Sequence, residues 1–169
     1  MLKIIFTVLI SINFLYAHPH TYINIYPTAI IKDNKIIEIN FKWIMDEMTS
    51  SMLIMEFDQN LNGKIDKNEN KYIKNNYFLS LNKYNFYTHT KAKYKTANFI
   101  ADIKNNKIVY MFSFILDKPY TLKNFSMSFY DTDFFVATQL KKEFITQKIN
   151  YLVEDIDGDF YYGYKITYK

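Results

Sequence analysis

The stretch IEINFKWIMDEMTSSMLIM, Ile37–Met55, contains the change of pattern on which the fold prediction rests. From Ile37 to Trp43 apolar and polar residues alternate, which is typical of a strand with one buried face. Beyond Trp43 the apolar residues recur every three or four positions, at Ile44, Met48, Met52 and Met55. That spacing predicts a helix, so we expect a strand to lead directly into a helix here.

The predicted helix runs into FDQNLNGKIDKNE, Phe57–Glu69, which has the spacing of an EF-hand calcium loop. Oxygen-bearing side chains fall at the ligand positions, a glycine falls at the sharp turn, and the residue after it contributes only its carbonyl. The candidate calcium ligands are Asp58, Asn60, Asn62, Lys64 through its backbone, Asp66 and Glu69. The structural alternative is a polar turn between helices. Because few of these ligands are anionic, we predict a weak site, on the order of 0.1–1 mM.

Helical spacing resumes after the loop, so a helix–loop–helix insert is predicted at residues 44–83. Elsewhere β-branched and aromatic runs predict seven or eight strands. Besides the strand around residues 37–43, they lie near residues 22–30, 86–88, 97–103, 108–116, 125–130, 149–153 and 160–168. The predicted fold class is mainly β or α+β: an antiparallel β-sandwich-like domain with an inserted helix–calcium loop–helix. The EDIDGDF stretch, 154–160, lacks the last glutamate of a calcium loop and is interpreted as a hairpin turn.

The amino-terminal segment predicts export. Residues 1–17, MLKIIFTVLISINFLYA, combine one lysine with an apolar run that ends in a small residue, which is typical of a secretory signal. The run is shorter than the roughly 20 residues that span a bilayer. We therefore expect a signal peptide at 1–17, a single periplasmic domain at 18–169, and no transmembrane segment after cleavage.

The histidines form a second constellation. Cleavage after Ala17 would make His18 the first residue, with an imidazole and a free α-amine, and His20 would lie two positions on. Imidazole suits Cu(II), Ni(II) and Zn(II). Because Pro19 has no N–H, a square-planar site made from backbone amides is excluded. The candidate transition-metal ligands are therefore His18, His20 and the distant His89, and the alternative is a solvated chain end.

Composition excludes several classes of function. The chain contains no cysteine, which rules out disulfides, thiolate metal sites and cysteine catalysis. Its net charge is +4, but the lysines are scattered and arginine is absent, so nucleic-acid binding is not predicted. The seven methionines are expected to pack in the protein, since their spacing is wide for a copper-binding cluster. Asp46 and Glu47 are interpreted as helix-start residues, and Asp131 and Asp133 as turn residues.

In their order along the chain these motifs resemble domain-of-unknown-function family 1007. The matching segments are His18-Pro19-His20, Trp43–Ser50, Asp58–Glu69, Tyr84–Tyr87 and Tyr130–Phe135; Met45 departs from the pattern, where an aromatic residue is expected. The family comprises exported bacterial proteins often labelled as the periplasmic component of an uncharacterised ABC-type transport system. Its members tend to accompany nickel/cobalt-type permeases. The resemblance thus implies metal trafficking and adds Asp46, Glu47 and Asp131 as candidate site residues.

Three functional hypotheses follow. The first is a non-enzymatic periplasmic accessory protein with structural Ca²⁺ in the loop and Ni²⁺, Co²⁺, Zn²⁺ or Cu²⁺ at His18 and His20, working with an inner-membrane metal permease. The second is a copper histidine-brace oxidoreductase, for which His89 would have to supply the third nitrogen. The third is a calcium-stabilised binding module without a transition metal. No hydrolase motif of the Gly-x-Ser-x-Gly or His-Glu-x-x-His type occurs.

Overall fold

The computed structural model describes residues 21–133, 135–140, 149–158 and 161–169. In these ranges the strands are β1 (Thr21–Lys32), β2 (Lys35–Met45), β3 (Thr88–His89), β4 (Tyr94–Lys104), β5 (Lys107–Thr121), β6 (Ser126–Phe129), β7 (Val136–Gln139), β8 (Tyr151–Asp157) and β9 (Tyr162–Tyr168). Helices α1 (Glu47–Phe57) and α2 (Lys67–Ile73) follow β2. Helix α2 continues into a π-helical turn, Lys74–Phe78, and a 3-10 segment, Leu79–Tyr87.

The strands form two sheets. One has the order β4-β5-β2-β1-β7, and the other has the order β3-β6-β9-β8. Strands β1 and β7 run parallel, with Thr21 opposite Val136, whereas the other described pairs are antiparallel. The mainly β prediction is therefore confirmed, but β7 and its parallel pairing were not predicted. A four-residue strand is too short to produce a recognisable alternation.

Aromatic side chains hold the layers together. Phe41 of β2 lies 6.3 Å from Phe129 of β6, ring centre to ring centre, and joins the two sheets. Phe78 stacks on Phe99 of β4 at 4.1 Å and attaches the helical unit to the first sheet. Burying rings of this size dominates the energetics of such a core. Trp43, in the middle of it, is completely buried.

The passage from β2 to α1 occurs later than the sequence pattern predicts. Ile44 was expected to begin the helix, but it pairs with Val109 and belongs to β2. The helix begins after Asp46, whose side chain accepts a hydrogen bond from the backbone N–H of Thr49. The insert therefore starts at residue 47 instead of 44, because an N-cap overrides the spacing of the apolar residues before it.

The helical unit ends in a left-handed turn where a strand was predicted. Asn85, Phe86 and Tyr87 have φ values of +52°, +50° and +50°. Non-glycine residues rarely adopt this region, and three in succession are costly. Strand β3 consequently begins only at Thr88. The described residues contain no helix long and apolar enough to cross a membrane.

The methionines do not all pack. Met45 and Met127 are buried, but Met48, Met52 and Met55 of α1 remain largely exposed to solvent. The prediction of methionine packing is therefore wrong for these three. Helix α1 turns Thr49 and Ser50 toward the protein instead, since both hydroxyls have hydrogen-bond partners there.

Candidate functional site

The loop between α1 and α2 begins with a carboxylate bound by backbone N–H groups. Asp58 accepts hydrogen bonds from the N–H of Asn62 at 2.9 Å and of Gly63 at 2.8 Å, one on each oxygen. Gly63 has a φ of +75°, in the region that favours glycine. The sharp turn thereby folds the chain around the Asp58 side chain.

The last ligand candidate closes the loop from the opposite end. One carboxylate oxygen of Glu69 accepts from the N–H of Gln59 at 2.8 Å, and the other accepts from the N–H of Asp66 at 2.8 Å. Asp66 and Glu69 also form the capping box of α2. Glu69 therefore connects the first residues of the loop to the start of the second helix.

The other candidate calcium ligands lie between these two carboxylates. The side-chain oxygen of Asn60 accepts from the N–H of Asn62, and that of Asn62 accepts from the N–H of Lys64. The Asn60 amide nitrogen lies 3.1 Å from Asp66 Oδ2, which brings two predicted ligand side chains together. All the candidate calcium-ligand atoms are oxygens, the type of ligand that Ca²⁺ prefers.

The charge balance of the loop is unusual. Asp58 and Glu69 are each only 4% exposed. The ion pairs of the described residues are Lys104–Asp102 and Lys165–Glu154, so neither loop carboxylate has a cationic side-chain partner there. Buried carboxylates are costly unless they are paired, hydrogen-bonded or bound to a metal, and here backbone N–H groups are the hydrogen-bond partners.

The loop carboxylates alone do not make a metal site. In the described part of the chain, no three His, Asp or Glu side chains form a group that could hold an ion. The loop has three candidate carboxylates, Asp58, Asp66 and Glu69, and they do not come together in such a group. The donor set fits the EF-hand pattern, in which amide and carbonyl oxygens complete the coordination.

Asp46 links α1 to the first residues of β1. Its carboxylate accepts from the backbone N–H of Tyr22 at 2.8 Å and from the Thr49 hydroxyl at 2.6 Å. Partial burial opposes ionisation, but the hydrogen bonds from Thr49 and Tyr22 outweigh it and lower the pKa of Asp46 below its ordinary value of 3.8. Glu47, beside it, is exposed in the first helical turn. Asp46 thus caps the helix and also anchors β1.

Asp131 has a similar role at the other edge of β1. Its buried carboxylate accepts from the backbone N–H groups of Asp133, Phe135 and Val136. Val136 is the residue that pairs with Thr21. Asp131 therefore fixes the turn that brings β7 to the start of β1.

His89 lies in the second sheet, next to Asp131. Its Nε2 is 3.2 Å from the carbonyl oxygen of Tyr130, and its ring stacks on the Tyr130 ring at 3.8 Å. Tyr161 stacks on the opposite side of the cluster, 4.5 Å from Tyr130. A cavity of about 230 Å³ is lined by His89, Tyr130 and Asp131. The structure thus brings two candidate site residues, His89 and Asp131, together at one cavity. Asp46 is not among the residues that line it.

The structure adds residues that sequence reasoning missed. A cleft of about 190 Å³ beside the start of β1 is lined by Thr21, Trp43, Thr49, Tyr87 and Val136, among others. The Trp43 indole nitrogen is buried and has no hydrogen-bond partner among the described residues. Burial, followed by the negative charge of Asp131, raises the pKa of Tyr87. Trp43, Thr49 and Tyr87 lie in segments that carry the family resemblance, but the sequence did not indicate that they share a cleft.

His18 and His20 lie outside the described residues, as does the predicted signal peptide. Thr21, which follows His20 in the chain, is the first residue of β1, and its hydroxyl lies 3.4 Å from that of Thr49. Of the candidate transition-metal ligands, the structure therefore describes His89, and it also describes Thr21, the strand residue that follows His20.

The two sheets, the helical insert and the oxygen-rich loop define a β-rich domain with a helix–loop–helix insert. The chain belongs to the family described as "Protein of unknown function (DUF1007)", whose model matches residues 3–151. An uncharacterized protein of Haemophilus influenzae (strain ATCC 51907 / DSM 11121 / KW20 / Rd) is 30% identical over 131 residues, 72% of this chain. The chain spans 62% of that relative's length. No solved structure matches the chain.

Proposed function

We propose that this chain is an exported metal-binding accessory protein without enzymatic activity. In this proposal His18 and His20 hold a divalent transition metal, and the loop from Asp58 to Glu69 holds a structural Ca²⁺. The periplasm is its compartment, and an inner-membrane metal permease of an ABC-type or nickel/cobalt-type system is its partner. The family relationship is consistent with the proposal but assigns no activity.

The observation that carries the calcium part is the pair of buried loop carboxylates. Asp58 and Glu69 are buried, and neither has a cationic side-chain partner among the described residues. A bound Ca²⁺ would supply the missing positive charge, with Asp58, Asn60, Asn62, Asp66, Glu69 and the Lys64 carbonyl as its ligands. Because Glu69 also closes the α2 capping box, the ion would hold α1 and α2 in one arrangement.

The transition-metal part rests on chemistry at the other end of α1. An imidazole and an α-amine on one residue close a small chelate ring, and a second imidazole two residues later adds a third nitrogen. The following residues, Thr21 and Tyr22, are anchored by β7 and by Asp46. An anchored chain loses less conformational freedom when it binds an ion than a frayed chain does. Candidate ions are Ni²⁺, Co²⁺, Zn²⁺ and Cu²⁺.

The test is a titration of Cu²⁺, Ni²⁺ and Zn²⁺ into three forms of the protein. These forms begin at His18, begin with one additional alanine before His18, or carry His20→Ala. The additional alanine converts the amine into an amide, which is a poor donor at neutral pH, so binding should weaken. Binding should also weaken below about pH 6, because imidazole must be neutral to ligate a metal.

A His89→Ala variant is the matched control. His89 already holds the Tyr130 carbonyl and stacks on its ring, so its removal should leave transition-metal affinity unchanged. If His89→Ala abolishes binding as strongly as His20→Ala does, a brace completed by His89 becomes the better description. If all forms bind alike, the calcium-stabilised binding module without a transition metal replaces the proposal.

A further inference from the structure

Helix α1 exposes a row of three methionines. Met48, Met52 and Met55 are 60%, 53% and 74% exposed. Their spacing of four and three residues is wide along the sequence, but in a helix it places them within about 60° of one another around the axis. We call Met48, Met52 and Met55 the methionine row.

Helix α1 turns a different apolar row toward the core and leaves the methionine row outside it. Thr49, Ser50 and Phe57 are buried and Leu53 and Ile54 pack against the core, whereas the three thioethers face solvent. The hydroxyl of Ser50 accepts a hydrogen bond from the backbone N–H of Ile108 at 3.0 Å. This hydrogen bond would be lost if α1 rotated to bury its methionines. Burial in the core of this protein therefore does not account for the methionine row.

The electrostatic surroundings of the row favour a cation. The exposed side of α1 carries Glu47 and Glu56, and the helix sequence EMTSSMLIMEF contains no lysine. This is notable in a chain with 21 basic residues and a net charge of +4. A positively charged partner therefore meets no like charge within α1.

We propose that the methionine row is a binding site for a soft monovalent metal ion, Cu(I) or Ag(I). Thioether sulfur is a ligand that selects soft ions over Mg²⁺ or Ca²⁺. Residues three or four apart on a helix have Cβ atoms roughly 5–6 Å apart, within reach of two methionine side chains that converge on one ion. Methionine has three rotatable bonds and adapts readily to such a geometry.

This site is distinct from the proposed histidine site in both ligands and ion. It requires neither His18 nor His20, and its ligands carry no proton to displace near neutral pH. Binding to the methionine row should therefore persist at pH 5, where imidazole ligation weakens. The two proposals can consequently fail independently.

The experiment uses Ag(I), which undergoes no redox reaction under the assay conditions. Ag(I) is titrated at pH 5 into purified protein with ¹³C-labelled methionine methyl groups. The methyl signals of Met48, Met52 and Met55 should shift together and saturate at one equivalent, while those of buried Met45 and Met127 stay in place. Unshifted row signals, or shifts that continue without saturation, overturn the proposal.

Leucine substitutions separate metal binding from apolar docking. Met52→Leu retains size, apolar character and helix propensity but removes the central sulfur. Its Ag(I) affinity should fall by about 10-fold or more, because the loss of a ligand should cost at least as much as the loss of a group that only orients a ligand. Met111 is a half-buried residue of β5, and Met111→Leu is the control, which should bind Ag(I) as the wild type does. Equal affinity of Met52→Leu and wild type overturns the site, and concentration-dependent dimerisation retained in Met52→Leu would identify the row as a contact between copies instead.

Discussion

The carboxylate of Asp46 accepts a hydrogen bond from the backbone N–H of Tyr22 at 2.8 Å, across 24 positions of sequence. The same side chain caps α1. One residue thus joins the segment that follows His18-Pro19-His20 to the helix that leads into the oxygen-rich loop. The proposed histidine site and the proposed calcium loop are therefore connected through the 11 residues of α1.

Substitution of Asp46 should reveal this link. Asp46→Ala removes the cap and the Tyr22 contact, and we expect the free energy of unfolding to fall by roughly 1–3 kcal/mol. Urea unfolding at pH 7 measures the change. Glu47→Gln, an exposed change in the same helical turn, should lower stability by less. Equal losses for the two variants would mean that neither the cap nor the Tyr22 contact contributes measurably to stability.

The lowered pKa of Asp46 makes a separate prediction about pH. Its folded pKa is below the ordinary value of 3.8, so the contribution of its charge is fully present above that value and is lost as the pH falls through the folded pKa. Asp46→Asn retains a capping side chain but not the charge. The difference in unfolding free energy between wild type and Asp46→Asn should be constant from pH 5 to 7 and should shrink below pH 3.8. A difference that grows in acid would contradict the assignment.

Glu69→Gln should abolish calcium binding. The last loop position supplies two of the ligating oxygens in an EF-hand, and an amide offers one oxygen without charge. Calorimetry should show one weak calcium site in the wild type and none in the variant. Glu154→Gln, an exposed carboxylate of β8, is the control and should bind calcium normally. Unaltered binding in Glu69→Gln would exclude the loop as the site.

Calcium should raise the thermal stability of the wild type. An ion that binds only the folded state at 100 times its Kd stabilises it by about 2.7 kcal/mol. For a chain of this size that corresponds to roughly 5–10 °C in Tm. Differential scanning calorimetry tests this in roughly 10–100 mM calcium, 100 times the predicted Kd, with Glu69→Gln as the variant whose Tm should not respond. An unresponsive wild type would remove the scaffold role.

Asp131→Asn should destabilise the protein. The buried carboxylate accepts from three backbone N–H groups, and an amide would present its own N–H to some of them. We expect a loss of about 1–3 kcal/mol in urea unfolding. Asp133→Asn, an exposed neighbour, should change stability by no more than about 0.5 kcal/mol. A loss as large for Asp133→Asn would show that the buried hydrogen bonds are not the cause.

The sequence by itself determined the features that depend on local spacing. The alternation up to Trp43 predicted β2, and the polar spacing from Asp58 to Glu69 predicted a loop between two helices, which the structure contains. These features involve residues a few positions apart, so the chain's own geometry fixes them. The capping role of Asp46 was readable for the same reason.

Tertiary structure decided the features that depend on residues far apart in the chain. Strand β7 exists because Asp131 fixes a turn and Val136 then finds Thr21, a pairing across more than a hundred residues that no local pattern encodes. The orientation of α1 was decided in the same way: Ser50 accepts from the backbone N–H of the distant Ile108, and Leu53, Ile54 and Phe57 pack against the core. The apolar period predicted that the methionines would be buried, but packing this other face left Met48, Met52 and Met55 in solvent.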